Sequence, residues 1–544
     1  MTEAEAVDLE APERTTARSL ARAGLVVSSA YLVARVLGYI RVVVIGTTFG
    51  AGPELDAFFA AFRIPDLIFQ LVAAGAVASA VVPMVAGMLA KGENDRAWRV
   101  VSTIANLMML GLLAFAALAF VAAPALVPLI APGFEGAQLN RTIDLTRLML
   151  LAPMFLALGA TATAALNGTQ RFAASAVAPI VYDLAIIGAA VLLAPSMGVT
   201  GLALGVVAGS LGHLVVQIPP LLRAGFRYVP RINLSDTEAR LALALMGPRV
   251  IGLGVTQITF VVMTALASNL GTGAVSAYTI AFSLLQIPLG VIGVPLGIVI
   301  FPSLAKELAV GRIDHYLEIL TRSLRILAFV MLPITALGMI LRVQVVDLLL
   351  GYGAFDRAAV QLTADTLLLF LLGLTAHSVI AVLTRAFYAR QDTRTPMGAA
   401  VLAVAINTVL AIALVGSLGL PAIGLAIAAA AWIEALVLLL VLRRREGPAL
   451  HLGALATALL PMAIGAAAAG AAAAIVIPLV FGVPNLGAGT DTSLAAKAWL
   501  LVQAVVGTLV GGAAYGLVTW VLGVRELRTI VAILADLIRR RGRS

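Results

Sequence analysis

The sequence predicts an all-α polytopic membrane protein. About fourteen transmembrane helices are expected to form two pseudo-symmetric six-helix lobes plus two C-terminal helices around a central cavity. Three observations carry this expectation: an apolar composition, an alternation of basic and non-basic loops, and an internal repeat. Of 544 residues, 61% are hydrophobic and 12% charged, and the mean hydropathy is +1.06. Soluble domains average about 25% charged residues. The chain has no cysteine, which excludes disulfides, thiolate catalysis and cysteine-ligated metals. The net charge of +9 does not point to nucleic acid, because the arginines sit in short loops between apolar spans.

Taken in order, the chain opens with a cytoplasmic tail, residues 1–23, acidic through Glu13 and basic at Arg14, Arg18 and Arg22. The apolar run that follows is too long for a signal peptide and reads as a retained first span. Apolar windows broken by charge or by proline and glycine place the spans at 25–47, 57–89, 101–131, 145–166, 174–194 and 199–222, the N-lobe (24–223). The C-lobe (224–445) holds 241–268, 277–304, 326–341, 363–384, 397–415 and 420–442. An appendix (446–524) holds 455–481 and 499–522, and a basic cytoplasmic tail (525–544) closes the chain. Ser235-Asp236-Thr237-Glu238 has the capping-box pattern and predicts a clean start for the seventh span.

Basic residues follow every even-numbered span: Lys91, Arg96 and Arg99; Arg171; Arg223, Arg227, Arg231 and Arg240; Lys306 and Arg312; Arg385, Arg390 and Arg394; Arg443 to Arg445; and the tail. The intervening loops are nearly free of them, Arg141 and Arg357 being the clearest exceptions. This alternation predicts an even number of spans with both termini cytoplasmic.

The chain also repeats itself. Phe49-Gly50-Ala51-Gly52 matches Leu270-Gly271-Thr272-Gly273, and Pro83, Leu89, Ala90 and Gly92 match Pro302, Leu308, Ala309 and Gly311 with the same spacing. Gly201-Leu202-Ala203-Leu204 matches Gly424-Leu425-Ala426-Ile427, again at an offset of about 220 residues. Six spans separate the partners, so both copies share one orientation and are related by an axis along the membrane normal. Two such bundles make a transporter architecture working by alternating access. The competing classes are a passive membrane scaffold and an oligomeric channel.

Two arginines stand out. Arg35 lies about ten residues into the first span, roughly 15 Å deep in a hydrocarbon core of about 30 Å. Charge at that depth costs at least ~2.5 kcal/mol unless solvated or paired, so Arg35 and its neighbour Arg41 are candidate functional residues. They are six residues apart, hence about 120° apart around a straight helix; Gly38 between them offers a place to bend. A buried structural pair is the competing role for Arg35, and snorkelling to the interface for Arg41. Asp56 is placed to cap the second span, to pair with Arg41, or to gate the cavity. Asp183 in the fifth span and Glu434 in the twelfth are candidate proton or cation sites, or neutral hydrogen-bonded acids. His377 reads as packed and hydrogen-bonded. The glycine-rich pieces lack the phosphate-loop pattern, and no catalytic or metal-ligand motif is present.

Arg35-Val36-Leu37-Gly38-Tyr39-Ile40-Arg41, Phe49-Gly50-Ala51-Gly52, Asp56-Ala57-Phe58-Phe59 and Phe62-Arg63-Ile64-Pro65 resemble the opening of the MurJ (MviN) family, lipid II flippases of the MOP exporter superfamily. The resemblance continues at Met246-Gly247-Pro248, Pro288-Leu289-Gly290, Pro302-Ser303-Leu304-Ala305-Lys306 and Phe387-Tyr388-Ala389-Arg390-Gln391-Asp392-Thr393-Arg394-Thr395-Pro396. It implies a V-shaped pair of six-helix lobes in the bacterial cytoplasmic membrane. It also implies transport of an undecaprenyl-pyrophosphate-linked glycan, with cell-wall synthesis proteins as further partners and no organic cofactor. On this pattern Arg35, Arg41 and Arg63 bind substrate, while Gly38, Asp56 and Pro65 gate or shape the site. A guanidinium is always charged, and its forked donors fit phosphate oxygens.

The departures from the family pattern are also specific. The acid that usually follows the second arginine is Val42, a basic position is Phe69-Gln70, the acid of a turn is Ala74, and Ser283 and Gln286 replace a cavity arginine and an acid. A sodium site of some members would fall on Met263 and Ala411, with Asn407 retained. Asp183 and Asn407 are thus the candidates for ion or proton coupling, and the membrane potential is the other expected driving force. The depleted charge keeps open a second function, export of another lipid-linked glycan or an amphipathic substrate.

Overall fold

The computed structural model describes residues 29–30, 32–72, 76–447, 452–482 and 493–528. For 71–72, 76–79, 243, 245–256 and 452 it describes the backbone alone. Ala74 and both terminal tails up to residue 28 and from 529 lie outside these residues.

Every described element is helical. The first eleven are α1 (Leu32–Phe49), α2 (Pro53–Val72), α3 (Ala76–Ala90), α4 (Asn94–Ile130), α5 (Gly136–Met149), α6 (Ala152–Gly168), α7 (Phe172–Leu192), α8 (Ala194–Met197), α9 (Val199–Val215), α10 (Ile218–Arg223) and α11 (Thr237–Ser268). After them come α12 (Ala274–Pro288), a π turn (Leu289–Gly293), α13 (Val294–Ala309), α14 (Ile313–Ile340), α15 (Arg342–Leu350), α16 (Arg357–Leu371) and α17 (Leu374–Ala389). The last are α18 (Arg394–Leu418), α19 (Pro421–Glu446), α20 (Leu452–Phe481) and α21 (Leu494–Val521).

Among the described residues, 11 helical stretches are long and apolar enough to cross a membrane, or 12 with the pair α16 and α17, bent by 46°. The shorter apolar stretches Ala80–Ala90 and Gln257–Ser268 lie at the second and seventh expected spans. The chain is therefore a multi-pass membrane protein of the expected all-α class. The bend in the tenth span has a visible cause. Gly373 lies so close to α19 that a Cβ would come within 2.8 Å of Ala428 Cα, and the Leu372 carbonyl accepts from Trp432 Nε1 at 2.9 Å.

The chain forms two compact units, Met1–Phe49 with Pro53–Val261, and Gly50–Gly52 with Val262–Ser544. The contact boundary falls inside α11, beyond the lobe boundary expected after residue 223. The intervening segment is tied to the first unit: Asn106 Nδ2 donates to the Val229 and Arg231 carbonyls at 3.0 and 3.1 Å, and Arg96 Nε donates to Asp236 Oδ2 at 2.9 Å. The N-cap of α11 is Asp236, not Ser235 as the capping-box pattern suggests. Its Oδ1 accepts the Glu238 N–H at 2.9 Å, and the hydrogen bond from Arg96 holds its carboxyl below the usual range.

The first unit packs around α4, with Trp98, Met108 and Leu112 against α3 and α6. In the second, Phe329, Leu337, Met462, Ala469 and Tyr515 join α14, α20 and α21. The Tyr515 hydroxyl donates to the Phe329 carbonyl at 2.7 Å.

The repeat is written in the backbone as well. Among the described residues, the two non-glycine residues with positive φ are Gln170 (58°) and Gln391 (59°), and Gly198 and Gly419 have φ of 57° and 62°. Gly92 and Gly311 agree in the same way, at 75° and 74°. Each pair has the offset of about 220 residues seen in the sequence. A non-glycine residue in this region is uncommon, so its recurrence at the matching turn is a signature of duplication.

Candidate functional site

The site is built on α1, α2, α7 and the part of α11 that carries Gln257 and Phe260, all within the first unit. Helix α1 is unbroken across Leu32–Phe49. Its Leu32, Val33, Val36 and Ile40 face outward, 61%, 47%, 49% and 43% exposed. Arg35 and Arg41 are half-buried.

The carboxylate that meets Arg41 is Asp183, on α7. Arg41 Nη1 donates to Asp183 Oδ1 at 2.7 Å, with side-chain exposures of 29% and 9%. The guanidinium also lies over the Tyr182 ring, 5.7 Å from its centroid. Gly38 faces the same acid: a Cβ there would lie 3.7 Å from Asp183 Oδ2, an ordinary contact. Helix α7 is held in turn by α9, where Gly209 lets the chain approach so closely that a Cβ would come 2.8 Å from the Tyr182 carbonyl. Asp56, the expected alternative partner for Arg41, is instead fully buried in the first turn of α2. There the helix dipole favours a negative charge.

Helix α2 carries a second polar group. Pro65 has no N–H, so the Ala61 carbonyl loses its helical donor. The Thr146 hydroxyl, which bonds the Thr142 carbonyl at 2.8 Å, also lies 3.4 Å from Ala61 O. One turn after Arg63, Asp66 accepts from Gln257 Nε2 at 3.2 Å and from Gln70 Nε2 at 3.4 Å. The Arg63 guanidinium stands 5.5 Å over the Phe260 ring and acts electrostatically on Asp66. Tyr182 lies within electrostatic reach of Arg41, Asp183 and Asp66. Sequence reasoning missed Asp66, Gln257 and Tyr182. Asp66 had a signal, an acid at i+3 from Arg63 inside an apolar run.

The remaining candidates lie elsewhere. Asn407 on α18 is 4% exposed, and its Oδ1 has no hydrogen-bond partner among the described residues. The same holds for His377 Nε2 on α17, where the sequence suggested a hydrogen-bonded ring. Met263 and Ala411 are fully buried apolar residues. Glu434 is half-buried on α19, and Ser283 Oγ donates to its own helix, to Thr279 O at 2.8 Å. Among the described residues no cluster of three or more His, Cys, Asp or Glu has a metal-binding arrangement.

The two arginines that break the loop rule are both paired. Arg141 reaches Glu54 at 3.9 Å, both half-exposed. Arg357 Nη1 lies 2.9 Å from Asp347 Oδ2, and Asp347 Oδ1 in turn accepts from Lys497 Nζ at 2.7 Å.

The profile of the family described as lipid II flippase MurJ matches residues 45–485. A protein named "Probable lipid II flippase MurJ" from Rhizobium tropici is 34% identical over 436 residues, covering 78% of this chain and 81% of its own. A "Lipid II flippase MurJ" from Burkholderia cenocepacia is 31% identical over 440 residues, covering 78% and 84%. Among solved structures, "Lipid II flippase MurJ, inward closed conformation" superposes with a TM-score of 0.75 at 22% identity, over 92% of this chain and 99% of that one. An inward-facing multidrug-resistance MATE transporter of the MOP superfamily gives 0.63 at 16% identity, over 78% and 98%. The fold is thus shared with both kinds of transporter, and the profile and the two curated relatives separate them: the chain belongs to the MurJ lipid II flippase family.

Proposed function

We propose that this protein moves the lipid-linked peptidoglycan precursor lipid II from the inner to the outer leaflet of the bacterial cytoplasmic membrane by alternating access. The observation that carries the reading is a part-exposed guanidinium, Arg41, on a membrane-spanning helix of a chain in this family. The substrate's pyrophosphate is anionic, and charge-assisted hydrogen bonds to arginine are short and strong. Arg41, with Arg35 and Arg63, binds the pyrophosphate, while the prenyl chain stays in lipid. Both termini lie in the cytoplasm, as the basic loops favour. The membrane potential helps reset the empty cationic site, at ~2.3 kcal/mol per charge per 100 mV.

The test is binding of lipid II to the purified protein by native mass spectrometry, with rescue of flippase-depleted cells alongside. The wild type is expected to bind and to rescue. The double variant Arg35→Ala/Arg41→Ala is expected to bind about 10- to 100-fold more weakly, the loss of one or more charge-assisted bonds at ~1.5–3 kcal/mol each. Equal binding by the double variant removes the arginines from the site. A wild type that ignores lipid II and rescues nothing would mean another lipid-linked cargo.

A further inference from the structure

We propose that Asp183 is the resting counter-ion of Arg41, and that the pyrophosphate of the cargo displaces it during each transport cycle. This rests on the reading that Arg41 binds that pyrophosphate.

The geometry is that of an exchangeable pair. Among the described residues Arg41 spends one N–H donor on Asp183, and a guanidinium has five. The contact is a single bond at 2.7 Å, not a fork. Arg41 keeps 29% of its side chain exposed while Asp183, at 9%, sits behind it. The outer side of the arginine is therefore open to an anion while its inner side is held. Gly38 adds no side chain between α1 and the acid, so the carboxylate lies directly against the α1 backbone. The Tyr182 ring supports the guanidinium plane, which keeps the arginine in place when its partner changes.

The chemistry follows from charge. An unpaired arginine in the empty site would be costly in the membrane, and Asp183 neutralises it. When pyrophosphate arrives, the same carboxylate is a like charge at short range, so binding is weaker than Arg41 alone would give. That penalty speeds release on the far side. Asp183 therefore trades affinity for turnover, which defines a positioning residue distinct from the arginines.

The experiment uses the full chain in nanodiscs and proteoliposomes, with undecaprenyl pyrophosphate and neutral undecaprenol as probes. Asp183→Asn is expected to bind undecaprenyl pyrophosphate roughly tenfold more tightly, the removal of one screened charge repulsion. Its lipid II transport rate should fall, and its affinity for undecaprenol should stay as in the wild type. Asp183→Glu should restore both properties. The gain must vanish in an Arg41→Gln background, and the pair Arg41→Gln/Asp183→Asn keeps the hydrogen bond if the single variant does not fold. Weaker or unchanged pyrophosphate binding by Asp183→Asn overturns the proposal, as does a gain that persists without Arg41. If the wild type binds undecaprenyl pyrophosphate no better than undecaprenol, the pyrophosphate reading fails as well. If it discriminates but Asp183→Asn gains nothing, the counter-ion role alone fails.

Discussion

Each unit buries a carboxylate against a cation, and the two arrangements differ in kind. In the second unit Asp347 is closed on every side. Lys497 Nζ holds Oδ1 at 2.7 Å and the backbone carbonyl at 3.1 Å, Arg357 holds Oδ2 at 2.9 Å, and Lys497 sits 4.6 Å over the Tyr352 ring. Lys497 and Asp347 are 6% and 5% exposed. In the first unit the Arg41–Asp183 pair has one bond and an open cationic side. The closed cluster serves to join α15, α16 and α21, with two cations on one acid. The open pair has a single cation on its acid. Depth in the membrane alone does not separate structural from functional charge; the number of cations that hold the acid does.

The largest effect should come from opening the closed cluster. Lys497→Ala leaves a buried carboxylate with half its partners and should cost roughly 3–5 kcal/mol, read as a large drop in melting temperature in detergent. An unchanged melting temperature would mean that the cluster does not hold α21. The two glycines give a finer contrast. At Gly351 a Cβ would come 1.8 Å from Asp347 Oδ1 and 2.7 Å from Lys497 Nζ, so Gly351→Ala must disrupt the cluster, at about 1–3 kcal/mol. At Gly38 the nearest atom is 3.7 Å away, so Gly38→Ala should melt within about 0.5 kcal/mol of wild type. Equal losses at both positions would erase the distinction between closed and open.

The smallest effect is a pH dependence at the surface of the second unit. Burial opposes ionisation of Asp392, but the Thr395 hydroxyl and N–H and the Arg445 guanidinium outweigh it and hold the carboxyl at about 2. The ordinary aspartate value is about 3.9. A depressed value stabilises the fold fully above pH ~4 and loses that contribution as pH falls toward 2. Wild type should therefore melt slightly above Asp392→Asn at pH 7, and the gap should close only below pH 4. A gap constant from pH 7 to pH 3 and below would show that ionisation of Asp392 contributes nothing.

Local patterns carried the helices, their turns and the duplication, because apolar runs and glycine positions are properties of neighbouring residues. The partners across the site were not legible. Arg41 and Asp183 are 142 positions apart, Asp66 and Gln257 are 191 apart, and Lys497 and Asp347 are 150 apart. Periodicity says which face of a helix is polar, not which other helix will meet it. The sequence placed Arg41 in the first span and offered the cargo, Asp56 or the interface as its contact; tertiary packing supplied Asp183. The start of α11 moved by one residue for a similar reason, since Asp236 is claimed by Arg96 as well as by its own helix.

The paired left-handed residues Gln170 and Gln391 have a further meaning. Their φ values agree within a degree, 58° and 59°, while the chemistry between the copies has drifted far. Where one half carries Arg41 and Asp183, the neighbourhood one repeat later carries Met263 and Asn407. Inheritance has been strict at the reversals of the chain and lax along the rods between them. A single ancestral half thus gave two halves that keep one skeleton and differ in where along it they carry their charge.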